Sequence, residues 1–241
     1  GTSLRKDEFV EECSDIDDVI VFTETGDMIV SKIESKKFVA KNILFASVFK
    51  KKDSRTIYNM IYKDGKTGIS YIKRFNVTGV TRDKLYNLTS QHPKSKVLHF
   101  SANPNGEGEV VTIQLRQSAS IKKLKWDLDF ADLTIKGRSV KGNIVTKHAV
   151  NKVVFKEKGL STLKPRKIWF DDTVQRLNVD GRGEMLGEFK PDDDLLIVQQ
   201  SGNLKIVHPD LTMHFPEDMI ILEKANRSKP ISVAYFNKKK K

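Results

Sequence analysis

Side chains that could catalyse a reaction are sparse in this sequence and lie in unpromising contexts. Neither a P-loop nor a Gly-x-Ser-x-Gly motif occurs. The single cysteine, Cys13, lies in an acidic stretch without the neighbouring cations that activate a catalytic thiolate. Four of the five tyrosines fall in or beside strand patterns, which favours packing over a nucleophilic role. The five are Tyr58, Tyr62, Tyr71, Tyr86 and Tyr235.

Two groups of residues have side chains that ligate metals, and neither has a recognised spacing. His208-Pro209-Asp210 with His214 supplies three donors, but no cysteine accompanies the two histidines, which favours a surface loop. Asp192-Asp193-Asp194 lacks the alternating Asp-x-Asp-x-Asp-Gly pattern of a calcium loop and is interpreted as a solvated turn. We therefore expect no catalytic residue, metal or cofactor in this chain.

The chemistry that is abundant is cationic. The 241 residues carry 43 Lys and Arg against 31 Asp and Glu, a formal net charge of +12. Residues 31–55, 56–120 and 121–167 carry net charges of +6, +5 and +9, whereas 1–30 and 168–224 each carry −7. Such segregation favours a polyanion partner, because large fields of one sign are usually functional. A protein-interaction scaffold with an acidic target is the alternative, and it lacks the steep salt dependence of phosphate binding.

Other bulk features limit the cellular setting. One cysteine excludes an intrachain disulfide, which favours a reducing, cytoplasmic compartment. No apolar run reaches the length of about 18 residues that a transmembrane helix needs, so no membrane partner is expected. The first residues have neither an initiator Met nor the apolar stretch of a signal peptide, and we expect a segment of a longer protein.

Strands must position these charges, because helical periodicity is scarce and strand patterns recur. The turn glycines Gly26, Gly65 and Gly106 are 39 and 41 residues apart, and Gly202 follows 96 residues later. A hairpin repeated about every 40–50 residues is typical of a propeller-like array, here of five or six four-stranded blades. The predicted hairpins, each around a turn of Gly, Asn, Asp or Ser, are 19–22 with 28–30, 56–62 with 69–72, 96–100 with 110–115, 167–170 with 174–177, and 195–199 with 203–207.

Several of these segments resemble the repeats of a known family, the C-terminal domains of gyrase A and topoisomerase IV A, which are the A subunits of bacterial type IIA topoisomerases. The resemblance spans nearly the whole chain, and repetition at the right period gives it more weight than any single motif. The segments that carry it are Val-Ile-Val-Phe-Thr-x-x-Gly at 19–26, Tyr62-Lys63-Asp64-Gly65, Tyr71-Ile72-Lys73-Arg74-Phe75, Val80-Thr81-Arg82 and Gly137-Arg138-Ser139-Val140-Lys141-Gly142-Asn143.

The resemblance implies an all-β fold, the β-pinwheel, a propeller-like disc whose blades exchange strands and whose basic perimeter binds and bends duplex DNA. It implies an acidic lead-in from an upstream domain over 1–18, a single pinwheel over 19–237 and a basic tail over 238–241. It also implies a parent enzyme that uses ATP and Mg²⁺ for strand passage, and the partners would be a breakage–reunion domain and the ATPase (B) subunit. The fragment itself is expected to be non-catalytic.

One departure from the family bears on the kind of enzyme. Gyrases carry the box Gln-Arg-Arg-Gly-Gly-Lys-Gly in a loop of the first blade, whereas residues 35–42 here read Ser-Lys-Lys-Phe-Val-Ala-Lys-Asn. Without glycines the backbone cannot approach phosphate as closely. This favours a topoisomerase IV-like role in decatenation and relaxation over gyrase-like wrapping. A gyrase A wrapping domain with a degenerate box remains the alternative.

We expect the DNA contacts to share one perimeter and the acidic block 168–224 to bind DNA least. Trp126 could stack on a base, but packing within a blade is favoured because duplex binding needs no such contact. The residues predicted to bind DNA are Lys36, Lys37, Lys41, Lys50, Lys51, Lys52, Arg55, Lys73, Arg74, Arg82, Lys122, Lys123, Lys125, Arg138 and Lys141.

Overall fold

The computed structural model describes residues 9–118, 121–232 and 234. Within these ranges the regular structure is eighteen β-strands and one turn of 3-10 helix, which confirms the all-β fold class. No helix in the described part of the chain has the length and apolarity to cross a membrane. The predicted tail over 238–241 and the first eight residues of the predicted lead-in lie outside the described residues.

The chain divides into two compact units, residues 1–163 and 164–241, and each is described by itself. The single pinwheel over 19–237 therefore stays a prediction. Three sheets belong to the first unit and two to the second, and their total of five equals the number of hairpin repeats predicted.

The first sheet shows how the turn chemistry works. β1 (Asp18–Thr23) and β2 (Asp27–Lys32) are antiparallel, and the turn between them uses Gly26 at φ +83°, a conformation that glycine adopts at little steric cost. β3 (Ile43–Phe49) pairs with the other edge of β1. β6 (Tyr86–Asn87) returns from much later in the chain to pair with β2, so the strand order is β3-β1-β2-β6.

The second sheet repeats this plan around β4 (Ile57–Lys63) and β5 (Ser70–Asn76). β7 (Lys96–Asn103) pairs with β4 as β3 does with β1. Two later strands pair with β5, namely β10 (Ile135–Gly137) in parallel and β11 (Asn143–Thr146) antiparallel. Every residue of β4 and β5 except the last of each is buried, so both faces of this sheet are covered.

In the third sheet β8 (Glu107–Leu115) lies between β9 (Lys125–Asp129) and the long strand β12 (Val150–Ser161). The 3-10 turn Phe130–Asp132 follows β9, and the carboxylate of Asp129 caps it by accepting a hydrogen bond from the backbone N–H of Ala131. This turn buries Phe130 against the sheet.

Two apolar cores lie between these three sheets. The first joins sheets one and two, where the rings of Phe22 and Tyr58 are 4.7 Å apart at their centroids. The second joins sheets two and three and contains Ile72, Ile113 and Phe130. Strand β5 contributes to both cores, because successive side chains of a strand point to opposite faces.

The second unit contains two three-stranded sheets around one core. In the fourth sheet β13 (Arg166–Asp171) lies between β14 (Arg176–Asn178) and β15 (Glu184–Phe189). In the fifth, β16 is flanked by its hairpin partner β17 and by β18. The strands of this fifth sheet are β16 (Leu195–Gln199), β17 (Leu204–Val207) and β18 (Met219–Lys224).

Four of the five predicted hairpins are confirmed, and the pairing of 96–100 with 110–115 is wrong. The first segment lies in β7 and pairs with β4, whereas the second lies in β8 and pairs with β9 and β12. The predicted turn exists, since Gly106 has φ +62° and its N–H donates to the carbonyl of Asn103. It joins two sheets instead of two strands of one sheet, and local turn chemistry is the same in both cases.

Strand exchange between neighbouring sheets is the recurrent feature of the fold. We call β6 and β11 exchange strands, because each pairs with the second hairpin strand of the preceding sheet, β2 and β5 respectively. In the second unit the same exchange is reduced to a single bridge between His214 and Arg176 of β14. Loop 77–85 therefore connects the second sheet to the first, whereas loop 138–142 joins β10 and β11, which both pair with β5 of the second sheet.

Candidate nucleic-acid interface

Residues 78–84, in the loop before exchange strand β6, contact three other loops of the first unit. Lys37 Nζ lies 3.3 Å from Asp83 Oδ1. The backbone N–H of Lys52 donates to the carbonyl of Thr78 over 3.0 Å. Arg138 donates from its guanidinium to the carbonyl of Gly79 over 2.8 Å. These contacts bring together segments that are up to 100 residues apart in sequence.

We call these four segments, residues 34–41, 50–55, 78–84 and 137–141, the basic rim. They contain eleven Lys and Arg against three Asp and Glu. Most of the cationic side chains are exposed, and Arg55 and Arg138 are half-buried. The predicted DNA-binding residues that the structure brings together in the basic rim are Lys36, Lys37, Lys41, Lys50, Lys51, Lys52, Arg55, Arg82, Arg138 and Lys141.

A buried carboxylate anchors one part of the basic rim. Asp18, at the start of β1, is 4% exposed, and Arg82 Nε lies 2.7 Å from its Oδ1. Lys51 Nζ lies 3.9 Å from the other oxygen of Asp18, and the side chains of Lys51 and Arg82 are 70% and 48% exposed. With Lys52 and residues 78–80, these three side chains line a cavity of about 400 Å³. The arrangement holds cations from two loops around one opening, as an anionic ligand requires.

Aromatic rings orient two further cations of the basic rim. The guanidinium of Arg138 lies 4.5 Å from the centroid of the Tyr86 ring, and Lys141 Nζ lies 4.5 Å from that of Tyr71. Such contacts fix a long side chain while leaving its charge available. Hydrogen bonding to Tyr71 raises the pKa of Lys141 above its ordinary value, which further favours the charged form.

Lys84 belongs to this group and was not predicted from the sequence. Its Nζ lies 5.4 Å from the centroid of Tyr86, the ring that also contacts Arg138. Its position two residues after Arg82, in the same loop as the Val80-Thr81-Arg82 motif, was the available signal.

The structure corrects the predicted roles of Lys73 and Arg74, because both side chains are buried. Lys73 is 5% exposed, and burial lowers its pKa to about 8. Arg74 is 2% exposed; its guanidinium donates to Asn59, to Thr162 and to the carbonyls of Gly106 and Glu107. Burial also lowers the pKa of Arg74. Neither group is free to contact phosphate, since strand β5 is covered on both faces.

Lys122, Lys123 and Lys125 are exposed as predicted, but they lie before and within β9 of the third sheet, outside the basic rim. Trp126 follows them in β9 and is half-buried against the core between sheets two and three. This confirms the predicted packing role of Trp126.

Several other residues with catalytic or metal-binding potential have structural roles, whereas Tyr235 lies outside the described residues. Tyr58, Tyr62 and Tyr71 are buried, as their strand contexts predicted, and burial strongly raises the pKa of Tyr58 and Tyr62. Asp193 accepts a hydrogen bond from the backbone N–H of Lys190 and forms an ion pair with Lys224 over 2.5 Å. It therefore closes a turn before β16, as interpreted from the sequence.

Comparison with known proteins gives one family and one curated relative. A family model described as Topoisomerase C-terminal domain, Bacteroidota, matches residues 1–158 and 176–241. The chain is 29% identical over 157 residues to the A subunit of DNA topoisomerase 4 from Borreliella burgdorferi (strain ATCC 35210 / DSM 4680 / CIP 102532 / B31). This match covers 65% of the chain and 23% of the relative, so the chain spans about a quarter of that protein.

Two solved structures are also similar to the chain. The first, titled "Structure of DNA gyrase A C-terminal domain", is 12% identical with a TM-score of 0.35, covering 88% of this chain and 83% of that one. The second, titled "Crystal structure of the C-terminal domain of DNA topoisomerase IV", is 9% identical with a TM-score of 0.38, covering 88% and 80%.

Proposed function

Since the chain belongs to the family of topoisomerase C-terminal domains of Bacteroidota, we propose that it is a non-catalytic module that binds and bends duplex DNA. The basic rim is the observation that carries this proposal. Three of its four segments contact the fourth, residues 78–84, and together they carry eleven cations against three carboxylates. Each phosphate that such a surface neutralises releases condensed counterions, which drives binding without reading the base sequence.

Within the family, we propose a role like that of topoisomerase IV, in which the module presents DNA segments for decatenation and relaxation. Residues 36–41 support this, since they are a lysine-bearing loop without the glycines of the gyrase box, and Phe38 in their middle is 75% exposed. A loop of this composition offers charge to phosphate, but its side chains keep the backbone away from the DNA.

The parent protein and its partners follow from the same proposal. We propose a type IIA topoisomerase in which the breakage–reunion domain of the same polypeptide cleaves DNA and the B subunit hydrolyses ATP, with Mg²⁺ used in the parent complex. This chain would contribute DNA binding only. Its setting would be the cytoplasm, in association with the nucleoid.

The test is a matched pair of triple variants, each removing three exposed cations. Lys50→Gln, Lys51→Gln and Lys52→Gln change the basic rim, whereas Lys167→Gln, Lys190→Gln and Lys205→Gln make the same charge change in the second unit. The log–log plot of affinity against salt should become shallower by up to about 0.9 per lost phosphate contact in the first variant. The control should change much less, and thermal stability should barely change in either, because exposed lysines contribute little to folding.

Equal losses in both variants would show that the DNA does not follow the basic rim. If the wild-type chain binds duplex DNA with a slope near zero, phosphate contacts are not its main interaction. A protein-interaction scaffold would then be the better account, since an interface with an apolar core depends little on salt.

A further inference from the structure

We infer that Lys73 is a positioning residue for DNA binding: its buried ammonium group fastens the loop 137–142, of which 137–141 belong to the basic rim, to Leu88, the residue that follows exchange strand β6. The inference rests on the proposed function, and it gives Lys73 an indirect role in place of the direct contact predicted from the sequence.

The ammonium group of Lys73 has one backbone acceptor for each of its three N–H donors. Its Nζ lies 2.6 Å from the carbonyl oxygen of Leu88, 2.7 Å from that of Arg138 and 3.2 Å from that of Val140. An ammonium group carries three donors and no acceptor, so this set satisfies it fully. One cation thereby joins two segments about 50 residues apart in sequence.

Besides its three carbonyl partners, the buried ammonium group has two aromatic rings as neighbours. Its Nζ lies 5.0 Å from the centroid of the Phe75 ring and 6.0 Å from that of Tyr62, and both rings belong to the first core. No carboxylate of the described residues lies within ion-pair distance of Lys73. Without the ammonium group three carbonyls would lose a charged donor, and buried acceptors left unpaired are costly.

The loop 137–142 is also fitted closely to β5. Gly142 has φ +97°, and a Cβ there would lie 2.4 Å from the carbonyl oxygen of Ile72. The N–H of Val140 donates to the carbonyl of Gly137 over 3.1 Å, which closes the loop on itself. The backbone of the loop therefore lies directly against the backbone of β5, and Lys73 donates charge-assisted hydrogen bonds from the strand to the loop.

Two cations of the basic rim project from this fastened loop. Arg138 reaches the carbonyl of Gly79 and the ring of Tyr86, and Lys141 lies over Tyr71. Lys73 binds the carbonyl of Arg138 itself, so the backbone that sets the direction of this side chain is the one that Lys73 holds. Releasing the loop would therefore scatter both cations while every charge on the exposed surface stays present.

Arg74 provides a matched control, because it is the next residue on β5 and is equally buried on the opposite face. Its hydrogen bonds go to Asn59, Thr162 and the carbonyls of Gly106 and Glu107, none of which belongs to the basic rim. Removing it should disturb the fold at the boundary of sheets two and three and leave the loop 137–142 in place.

The experiment compares Lys73→Met, Arg74→Met, the double variant Arg138→Gln/Lys141→Gln and the combination of that double variant with Lys73→Met. Affinity for one duplex is measured across a series of salt concentrations on the full chain. Lys73→Met should reduce the log–log slope by about as much as the double variant, up to about 1.8 for two phosphate contacts. Adding Lys73→Met to the double variant should then have little further effect on the slope, and Arg74→Met should keep the wild-type slope.

Hydrogen–deuterium exchange supplies a readout that is independent of DNA. Lys73→Met should speed the exchange of the backbone amides of 138–141 and leave those of β1 and β2 unchanged. If Lys73→Met does not fold, Gly142→Ala, which displaces the same loop by its Cβ, should reproduce both effects. A wild-type slope in a folded Lys73→Met variant, or a loss fully additive with that of the double variant, overturns the inference. Absence of DNA binding by the wild type would instead overturn the proposed function, and the exchange data would still test the fastening of the loop.

Discussion

Lys73 and Arg74 show how much the meaning of a residue depends on the face of the strand that it occupies. They are adjacent basic residues in a basic protein, and the segment resembles a blade motif, so surface contacts with DNA were the natural prediction. The sequence around them contained a contrary signal. Tyr71 and Phe75 share one face of the strand with Lys73, and Ile72 shares the other face with Arg74. Apolar residues on both faces indicate a strand that is covered on both sides.

The pH dependence of stability should reveal the burial of Lys73. The pKa of Lys73 falls from an ordinary value of 10.5 to about 8, because burial disfavours its charged form. Between these two values the unfolded chain binds more protons than the folded chain, so the free energy of unfolding rises with pH through this window. Each pH unit within it is worth about 1.4 kcal/mol.

Urea unfolding of the wild type and of Lys73→Met at pH 7.5 and 9.5 measures this effect. The variant cancels the contributions of all other titrating groups. The difference in unfolding free energy between the two proteins should move by about 2 kcal/mol in favour of the wild type as the pH is raised. A difference that is the same at both pH values would show that Lys73 titrates as an exposed lysine does.

At the level of the secondary-structure elements, the hairpins were predictable and the connections between sheets were not. Alternating apolar runs around Gly-containing turns correctly gave β1 with β2, β4 with β5 and β16 with β17, and the Asp171-Asp172-Thr173 turn gave β13 with β14. The exchange strand β6 has only two residues, too few for a periodic signal. The pairing of β6 with β2 joins segments that are far apart in sequence and meet only after folding. The contacts within the basic rim could not be read from the sequence for the same reason.

The turn at Gly106 should be sensitive to substitution because it joins two sheets. Gly106 has φ +62°, and a Cβ there would lie 2.5 Å from Leu163 Cγ. Gly106→Ala should lower the free energy of unfolding by about 1–3 kcal/mol through backbone strain and crowding. Gly79→Ala is the control, since Gly79 has no positive φ and a Cβ added there would meet no atom within 4 Å, and it should stay within about 0.5 kcal/mol. Urea denaturation measures both, and equal stabilities would contradict the structural role of this turn.

At the level of the whole molecule, charge segregation along the chain corresponds to a real grouping in the first unit. The block 31–55 and the motifs at 80–82 and 137–143 meet in the basic rim, as the charge pattern and the family resemblance together suggested. Composition could not show which cationic side chains are buried and hydrogen-bonded within the fold. Lys73 and Arg74 are buried within the fold, whereas Lys122, Lys123 and Lys125 lie before and within β9 of the third sheet, outside the basic rim.

Binding should depend little on base sequence. The described residues contain a single helical turn of three residues, so they offer no α-helix for the major groove, and the basic rim consists of loops. Affinities for unrelated duplexes of equal length, measured at one salt concentration, should agree within about 100-fold, a gap of roughly 2.7 kcal/mol. A larger spread would reveal base readout that this surface does not account for.

Strand exchange also has a consequence for how the protein is made. The ribosome releases β1, β2 and β3 well before β6, so the first sheet stays incomplete until the chain has been synthesised past Asn87. The second sheet waits in the same way for β11, which ends at Thr146. An unpaired sheet edge can pair with other chains. During synthesis the edge of β2 is unpaired first, and the edge of β5 awaits β11 in the same way. Each repeat thus covers an edge of the one before it, and a pause in synthesis anywhere between β2 and β6 would prolong the exposure of the edge of β2.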